Sequence, residues 1–356
     1  MFIKTILLRN FRNYEFQNIN IGKGINIFYG ANAQGKTNII ESIYFASTGK
    51  SHRTNKDCEM VKWCEKESRI KIDYEKENME GSVDIHLKVN SKKQIKVNGL
   101  KLDKIGQLLG NLNTVIFSPD HMKIIKEGPS ERRRFIDIIL SQVKPQYYHN
   151  LTQYVKVLYQ RNSLLSEIKF KNADESLLDI WDEQLAEYGS KVIINRINFI
   201  ENMNKLAYDI HWKITDGNEN LDIKYKPSLD TTNSNEKAKT IFQNEIRKSR
   251  QLDIKNASTQ RGPHRDDILL KINEKEVKVF ASQGQQRTAL LSMKLSELEY
   301  MKKETSTQSV LLLDDVFSGL DTKRQNFLMN YIHNIQSIIT CTDVQYFKNL
   351  DIKELN

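Results

Sequence analysis

Residues 30–37, Gly30-Ala31-Asn32-Ala33-Gln34-Gly35-Lys36-Thr37, have the spacing GxxxxGK[ST] of a phosphate-binding loop, and Asn38 follows them. Gly30 and Gly35 let the backbone curl so that its N–H groups face an anion. Lys36 would reach the β- and γ-phosphates of ATP, and the Thr37 hydroxyl would ligate Mg2+. The apolar run 24–29 (GINIFY) before the loop reads as a strand, and NIIESIYFAS after it as a helix. The start of that helix adds partial positive charge beside the phosphates.

A second constellation lies far downstream. Residues 310–315 (VLLLDD) read as a buried strand that delivers two carboxylates to the end of a parallel sheet. Asp314 would orient the magnesium shell and Asp315 would polarise the attacking water, so Lys36, Asp314 and Asp315 form the candidate catalytic set. Taken alone, this run is also compatible with a strand that merely ends in an acidic turn. Upstream of it, Ser282, Gly284, Gln285 and Gln286 open a helix-like segment and form another anion nest. Such a nest is redundant within one subunit. It makes sense if it reaches across a dimer to the γ-phosphate held by the other protomer, so that ATP joins two copies and hydrolysis releases them. Ser318 and Asp321, just after the acidic strand, can lie at the same subunit boundary. The order of the three elements is similar to that of ABC-type ATPases.

These residues need a sheet to position them. Further strand-like runs fall at 2–8, 68–73, 83–89, 94–98 and 337–340, with Asn98-Gly99 as a turn, and 322–334 reads as a helix. From 146 to 226 there is no proline and the periodicity becomes helical, with Leu151, Val155, Leu158, Leu165 and Ile168 at spacings of three, four or seven. Residues 171–176 (KNADES) suit a turn between two antiparallel helices, and 229–238 read as a polar loop. The expected fold is α/β: an ABC-type ATPase head, a P-loop sheet with flanking helices, carrying an inserted and largely helical second lobe. The head would comprise 1–135 and 256–356, and the insert 136–255.

Composition bounds the rest. The chain has 356 residues, 39% apolar and 28% charged, with a net charge of +9. That balance suits a polyanion, nucleic acid being the commonest, although an acidic membrane surface is also compatible. Cys58, Cys64 and Cys341 have neither metal-ligand spacing nor pairing, as fits a reducing compartment. No signal-peptide pattern or run of about 20 apolar residues occurs, so a cytoplasmic protein without a membrane partner is expected. Nothing resembles a base-reading module. DNA binding would therefore be sequence-independent and salt-sensitive, with no individual contact residue assigned.

The chain resembles the RecF family of bacterial DNA replication and repair ATPases. The shared blocks are LLRNFRNYE (7–15), GKSHRT (49–54), FSPDHMKIIKEGPSERRRFID (117–137), GPHRDD (262–267), SQGQQRT (282–288) and LLLDDVFSGLD (311–321). The resemblance implies an ATP-dependent homodimer, a slow DNA-stimulated ATPase, and binding to duplex DNA near single-strand gaps and junctions. It also implies action with RecR and RecO to help load RecA. Arg9 and Arg12 lie where related ATPases contact the base or ribose, and a solvated basic loop is the other reading. For Arg132–Arg134 phosphate contact stands against a charged surface face, and for His264 and Arg265 positioning of nucleotide or of an interface loop stands against a structural turn set by Gly262-Pro263. His52 is similarly open. Asp315 stands where transporters place glutamate, and Gly319 where RecF proteins commonly place glutamate. No histidine follows the strand at 337–340, and Thr340 or Thr342 can stand in for it. A transporter subunit is disfavoured because residues 38–281 separate loop and signature; an SMC-like structural ATPase would need far longer coiled coils. A fused nuclease lacks acids for a second metal site.

Overall fold

The computed structural model describes residues 1–229 and 235–343. The chain begins with an antiparallel hairpin of β1 (Phe2–Phe11) and β2 (Tyr14–Asn20), whose tight reversal holds Asn10 and Arg12 at positive φ. β3 (Ile25–Tyr29) then feeds the phosphate loop and α1 (Lys36–Thr48). From Ile39 to Thr48 every residue of α1 is buried, so this helix is a core element and shows little amphipathic contrast. Gly49 ends it at φ 70, and its N–H closes on the Phe45 carbonyl, the left-handed stop that glycine favours.

An antiparallel meander follows: β4 (Glu67–Lys76), β5 (Met79–Lys88), β6 (Gln94–Val97) and the short β7 (Leu100–Lys101). With the first hairpin it makes a six-stranded sheet in the order β2-β1-β4-β5-β6-β7. Period-two alternation buries Ile70, Ile72, Val83, Ile85, Leu87, Ile95 and Val97 in one core with Ile40, Ile43 and Phe45 of α1. β8 (Thr114–Phe117) comes next, then α2 (Lys123–Lys126), α3 (Pro129–Val143), α4 (Pro145–Lys171) and α5 (Leu178–Ile214). β9 (Leu221–Lys226), α6 (Asn235–Asn256), β10 (Asp267–Ile272), β11 (Lys275–Glu276) and α7 (Val277–Phe280) continue the chain. The last part contains α8 (Gln283–Thr305), β12 (Val310–Asp314), α9 (Thr322–Ile332) and β13 (Ser337–Cys341).

Two compact units result. One comprises residues 1–122, 210–217 and the described residues from Ser282 on; the other comprises the described residues of 123–209 and 218–281. The boundaries therefore fall at 122/123 and 281/282, whereas the sequence placed them at 135/136 and 255/256. The shift arises because α3 packs on α4 and on β10, which draws both flanks into the second unit. That unit is largely helical but also holds the antiparallel sheet β11-β10-β9. Helix α6 starts at Asn235, so the expected loop over 229–238 is helical at its end, while 230–234 lie outside the described residues. Strand β2 went unread because YEFQNIN lacks an apolar alternation, its main support being pairing with β1.

The first unit also holds a parallel sheet in the order β3-β13-β12-β8. All five residues of β12 and of β13 are buried, which explains their continuous apolar runs.

The second unit is organised around buried ion pairs. Arg161 of α4 is fully buried and donates to Asp182 at 2.7 Å, Asp253 at 2.8 Å and Thr259 at 2.7 Å. Arg196 of α5 donates to Asp137 at 2.8 Å and to the Pro263 carbonyl at 2.6 Å. Removing one partner leaves the other charge buried without compensation. Arg161→Ala is expected to lower stability by about 3–5 kcal/mol in urea unfolding; a midpoint equal to that of the native protein would contradict this account of the second unit.

Candidate nucleotide site

The site grows from the ends of the parallel strands. β13 lies between β3 and β12, with Thr340 paired to Asp314 on one side and to Phe28 on the other. Asp314 is only 7% exposed, so its carboxylate must be satisfied by the protein. The Thr37 hydroxyl donates to its Oδ1 at 2.8 Å, and the Thr340 hydroxyl donates to the same oxygen at 2.7 Å. The phosphate loop and the acidic strand are thereby brought together. Asp315, next in the chain, takes a left-handed backbone (φ 49), and its N–H donates to the carbonyl and hydroxyl of Thr340.

The loop has the conformation its glycines suggest. Gly35 has φ 95, and a Cβ there would lie within 2.7 Å of the Asn13 side chain and 2.9 Å of the Tyr14 hydroxyl. Ala33 also has positive φ, a strain of roughly 1–2 kcal/mol that the loop sustains. Lys36 Nζ donates to the carbonyls of Gly30 and Ala31, both at 2.7 Å, which holds the ammonium over the loop. A cavity of about 310 Å3 opens here, lined by Asn32, Ala33, Gln34, Gly35, Lys36, Thr37, Asn38, Arg53, Asp314, Asp315, Thr340 and Thr342. Most candidate residues from the phosphate loop and acidic strand line it. Gly30 and Ala31 contribute instead through their carbonyls.

Arg12 differs from expectation. It does not line this cavity: its guanidinium forks onto Glu41 of α1 at 2.9 and 2.6 Å and donates to the Glu59 carbonyl at 2.8 Å. Glu41 is fully buried and also accepts from Ser51 at 2.5 Å and Arg53 at 3.3 Å. Burial pushes the Glu41 carboxyl up, but the hydrogen bonds from Arg12 and Ser51 and the charges of Arg12 and Arg53 outweigh it, leaving the pKa below the usual value. Arg53 also donates to Asn38 at 2.8 Å and reaches the cavity wall. Sequence reasoning did not single out Arg53 or Glu41, although GKSHRT marked the neighbourhood. His52 of that block packs edge-on against Tyr44 at 5.5 Å, and burial lowers its pKa, as suits a core position.

The signature segment begins α8 as a reciprocal cap. The Ser282 hydroxyl accepts from the Gln285 N–H, and the Gln285 side chain accepts from the Ser282 N–H. Ser282 and Gly284 are exposed, Gln285 is half-buried and Gln286 is buried. Arg287 ties this helix to the loop after β12 by donating to the Gly319 carbonyl at 2.6 Å. In that loop Ser318 is exposed and donates to the Asp315 carbonyl at 3.0 Å. Asp321 caps α9, accepting from the Arg324 N–H at 2.9 Å.

The GPHRDD block is a structural hub of the second unit. Gly262 has φ 129, and a Cβ there would meet the Tyr154 hydroxyl at 2.6 Å. His264 contacts the Tyr154 hydroxyl at 2.6 Å and the Thr259 carbonyl at 3.0 Å, and burial pushes its pKa down to about 4. Arg132 forks onto Asp267 at 2.7 and 3.0 Å, and Arg133 donates to the Asp266 carbonyl. Two of the three consecutive arginines therefore serve packing, whereas Arg134 is exposed.

The family model described as RecF/RecN/SMC N terminal domain matches residues 2–353. A relative from Lachnospira eligens, "DNA replication and repair protein RecF", is 50% identical over 351 residues, covering 98% of this chain and 94% of its own length. A solved structure, "Structure of the recombination mediator protein RecF-ATP in RecFOR pathway", is 40% identical with a TM-score of 0.91 and covers 99% of this chain and 93% of that one. An Smc head bound to the C-winged helix domain of ScpA is 15% identical with a TM-score of 0.56, covering 96% and 90%, and shares the fold. The α/β head with a largely helical insert is thus the observed fold class.

Because the folded pKa of Glu41 lies below its ordinary value of 4.5, the stability it contributes is present above that pH. It is lost as pH falls through the folded pKa. Glu41→Gln is expected to cost about 1–3 kcal/mol at neutral pH in denaturant unfolding. The difference from the native protein should shrink steadily below about pH 4.5; a pH-independent difference would contradict the ion-pair account.

Proposed function

The chain belongs to the RecF family, and on that premise we propose that it is an ATP-gated DNA clamp of recombinational repair. One observation carries the ATPase part: Thr37 and Asp314, 277 positions apart, meet at 2.8 Å within the cavity wall. A hydroxyl and a carboxylate side by side form the hard oxygen donor set that suits magnesium. Thr37 and Asp314 would hold the ion, which neutralises phosphate charge when bound.

The protein's own groups do the rest. N–H groups of residues 31–37 cradle the β- and γ-phosphates, and Lys36 leaves its carbonyl partners for phosphate oxygen. Asp315 accepts a proton from the attacking water. The positive-φ turn at Asp315 supports this role because that residue lines the cavity beside buried Asp314. Arg53, also on the wall, supplies a further cation for the triphosphate. Arg12 holds Glu41 and with it the floor beneath Arg53, so its effect on nucleotide is indirect.

The exposed start of α8 supports dimerisation. Ser282 and Gly284 face outward from a pre-capped helix, and Arg287 fixes the neighbouring Ser318 loop to it. The unit therefore offers a helix N-terminus to a γ-phosphate held by a second copy. Duplex DNA near single-strand gaps is the target, with RecR and RecO as pathway partners aiding RecA loading. Turnover is slow and DNA-stimulated, in the cytoplasm. Among the described residues no helix is long and apolar enough to cross a membrane.

Lys36→Arg should retain the native unfolding midpoint but lose hydrolysis, because a planar guanidinium misfits the two-carbonyl seat. Asp315→Asn should slow phosphate release about 100-fold or more while retaining ATP binding. Native turnover in either variant would remove these roles, as measured by steady-state phosphate release.

A further inference from the structure

Two stretches distant in the chain, the capped start of α8 and the loop after β12, must present one fixed surface if ATP is to join two copies. The loop is held through its carbonyls. Gln325 of α9 donates to those of Phe317 at 3.0 Å and Leu320 at 2.9 Å, and Arg287 donates to that of Gly319 at 2.6 Å. These bonds grip backbone and leave Ser318 and Asp321 exposed.

Thr288 supplies a side-chain link between the two stretches. It is fully buried in α8, one turn after Gly284. Arg324 Nε of α9, 36 positions away, donates to its hydroxyl at 2.6 Å, and the hydroxyl donates in turn to the Gly284 carbonyl at 2.8 Å. Nη1 of the same guanidinium pairs with Asp321, whose other carboxylate oxygen accepts from the Arg324 N–H at 2.9 Å. One hydroxyl and one guanidinium thus run unbroken from the signature glycine to the acid at the expected subunit boundary. Farther along α8, Ser292 donates to the Thr288 carbonyl at 2.9 Å and contacts buried His211 at 3.0 Å. A back-bond within a helix does not by itself favour threonine, because such bonds slightly destabilise helices. The Arg324 donor accounts for the buried hydroxyl, since removing it would leave a polar group unsatisfied.

We propose that Thr288 and Arg324 are positioning residues for ATP-dependent dimerisation, clasping the Ser282–Gly284 turn and the Asp321 loop into one rigid surface. The inference rests on the dimer reading above and names the contact on which that surface depends. The test records the mass of the full chain with a non-hydrolysable ATP analogue over a range of protein concentrations. Binding of a fluorescent ATP analogue is followed in dilute protein, where the chain is a single copy.

Thr288→Val keeps the branched shape and removes the hydroxyl. It should weaken dimerisation about 5- to 150-fold, with analogue binding by the dilute chain unchanged. Thr288→Ser should restore the native dimer. Arg324→Ala should weaken dimerisation at least as much as Thr288→Val, and adding Thr288→Val to it should weaken it no further, because the two residues share one contact. A native mass profile in Thr288→Val would overturn the clasp and leave the dimer reading standing. An equal loss of analogue binding in the dilute chain, additive losses in the double variant, or a Thr288→Ser variant as weak as Thr288→Val would also overturn it. A native protein that stays a single copy with the analogue would overturn both.

Discussion

A carboxylate buried at the end of an apolar strand is the constraint from which the site follows. Asp314 cannot be left unpaired in the sheet, where an isolated charge costs several kcal/mol. Its Oδ1 is satisfied twice, by Thr37 from the phosphate loop and by Thr340 from the middle of the parallel sheet. That requirement couples the register of β12 and β13 to the start of α1. A one-residue slip of either strand would turn the donor away and orphan the acid.

The same helix serves the site at two depths. Its N-terminus forms the floor of the phosphate loop, and one turn further Glu41 sits fully buried between Arg12 and Arg53. The helix thereby fixes the β1–β2 turn and the segment after Gly49 against the cavity. Farther along the chain, Arg287 joins the capped start of α8 to the loop after β12. The loop after the acidic strand therefore joins the cavity wall to the exposed start of α8.

Legibility in the sequence tracked the range of the interaction. The phosphate loop, β12, β13 and the Ser282 cap were readable because each is set by local spacing: glycines at a fixed interval, an apolar run, or a serine before a helix. Strand β2 and the small sheet of the second unit were not, because partners far away in the chain stabilise them. Arg12 was noticed for its position, but its partner is the glutamate within NIIESIYF, which reads locally as one polar residue in an apolar helix. GPHRDD proved to be packing for the same reason: Tyr154, Arg196 and Tyr225 approach it from distant elements. Val155, one of the residues that marked the helical spacing, is 55% exposed, because buried Tyr154, Val157 and Arg161 define the buried face of α4.

The central claim is that ATP joins two copies on DNA. The most direct measurement is binding to a gapped duplex with no nucleotide, ADP, ATP or a non-hydrolysable ATP analogue, with the mass of the protein recorded in the same samples. The account predicts tight binding and a doubled mass with ATP or the analogue only. Equal binding under all four conditions, with the mass of a single chain throughout, would contradict it.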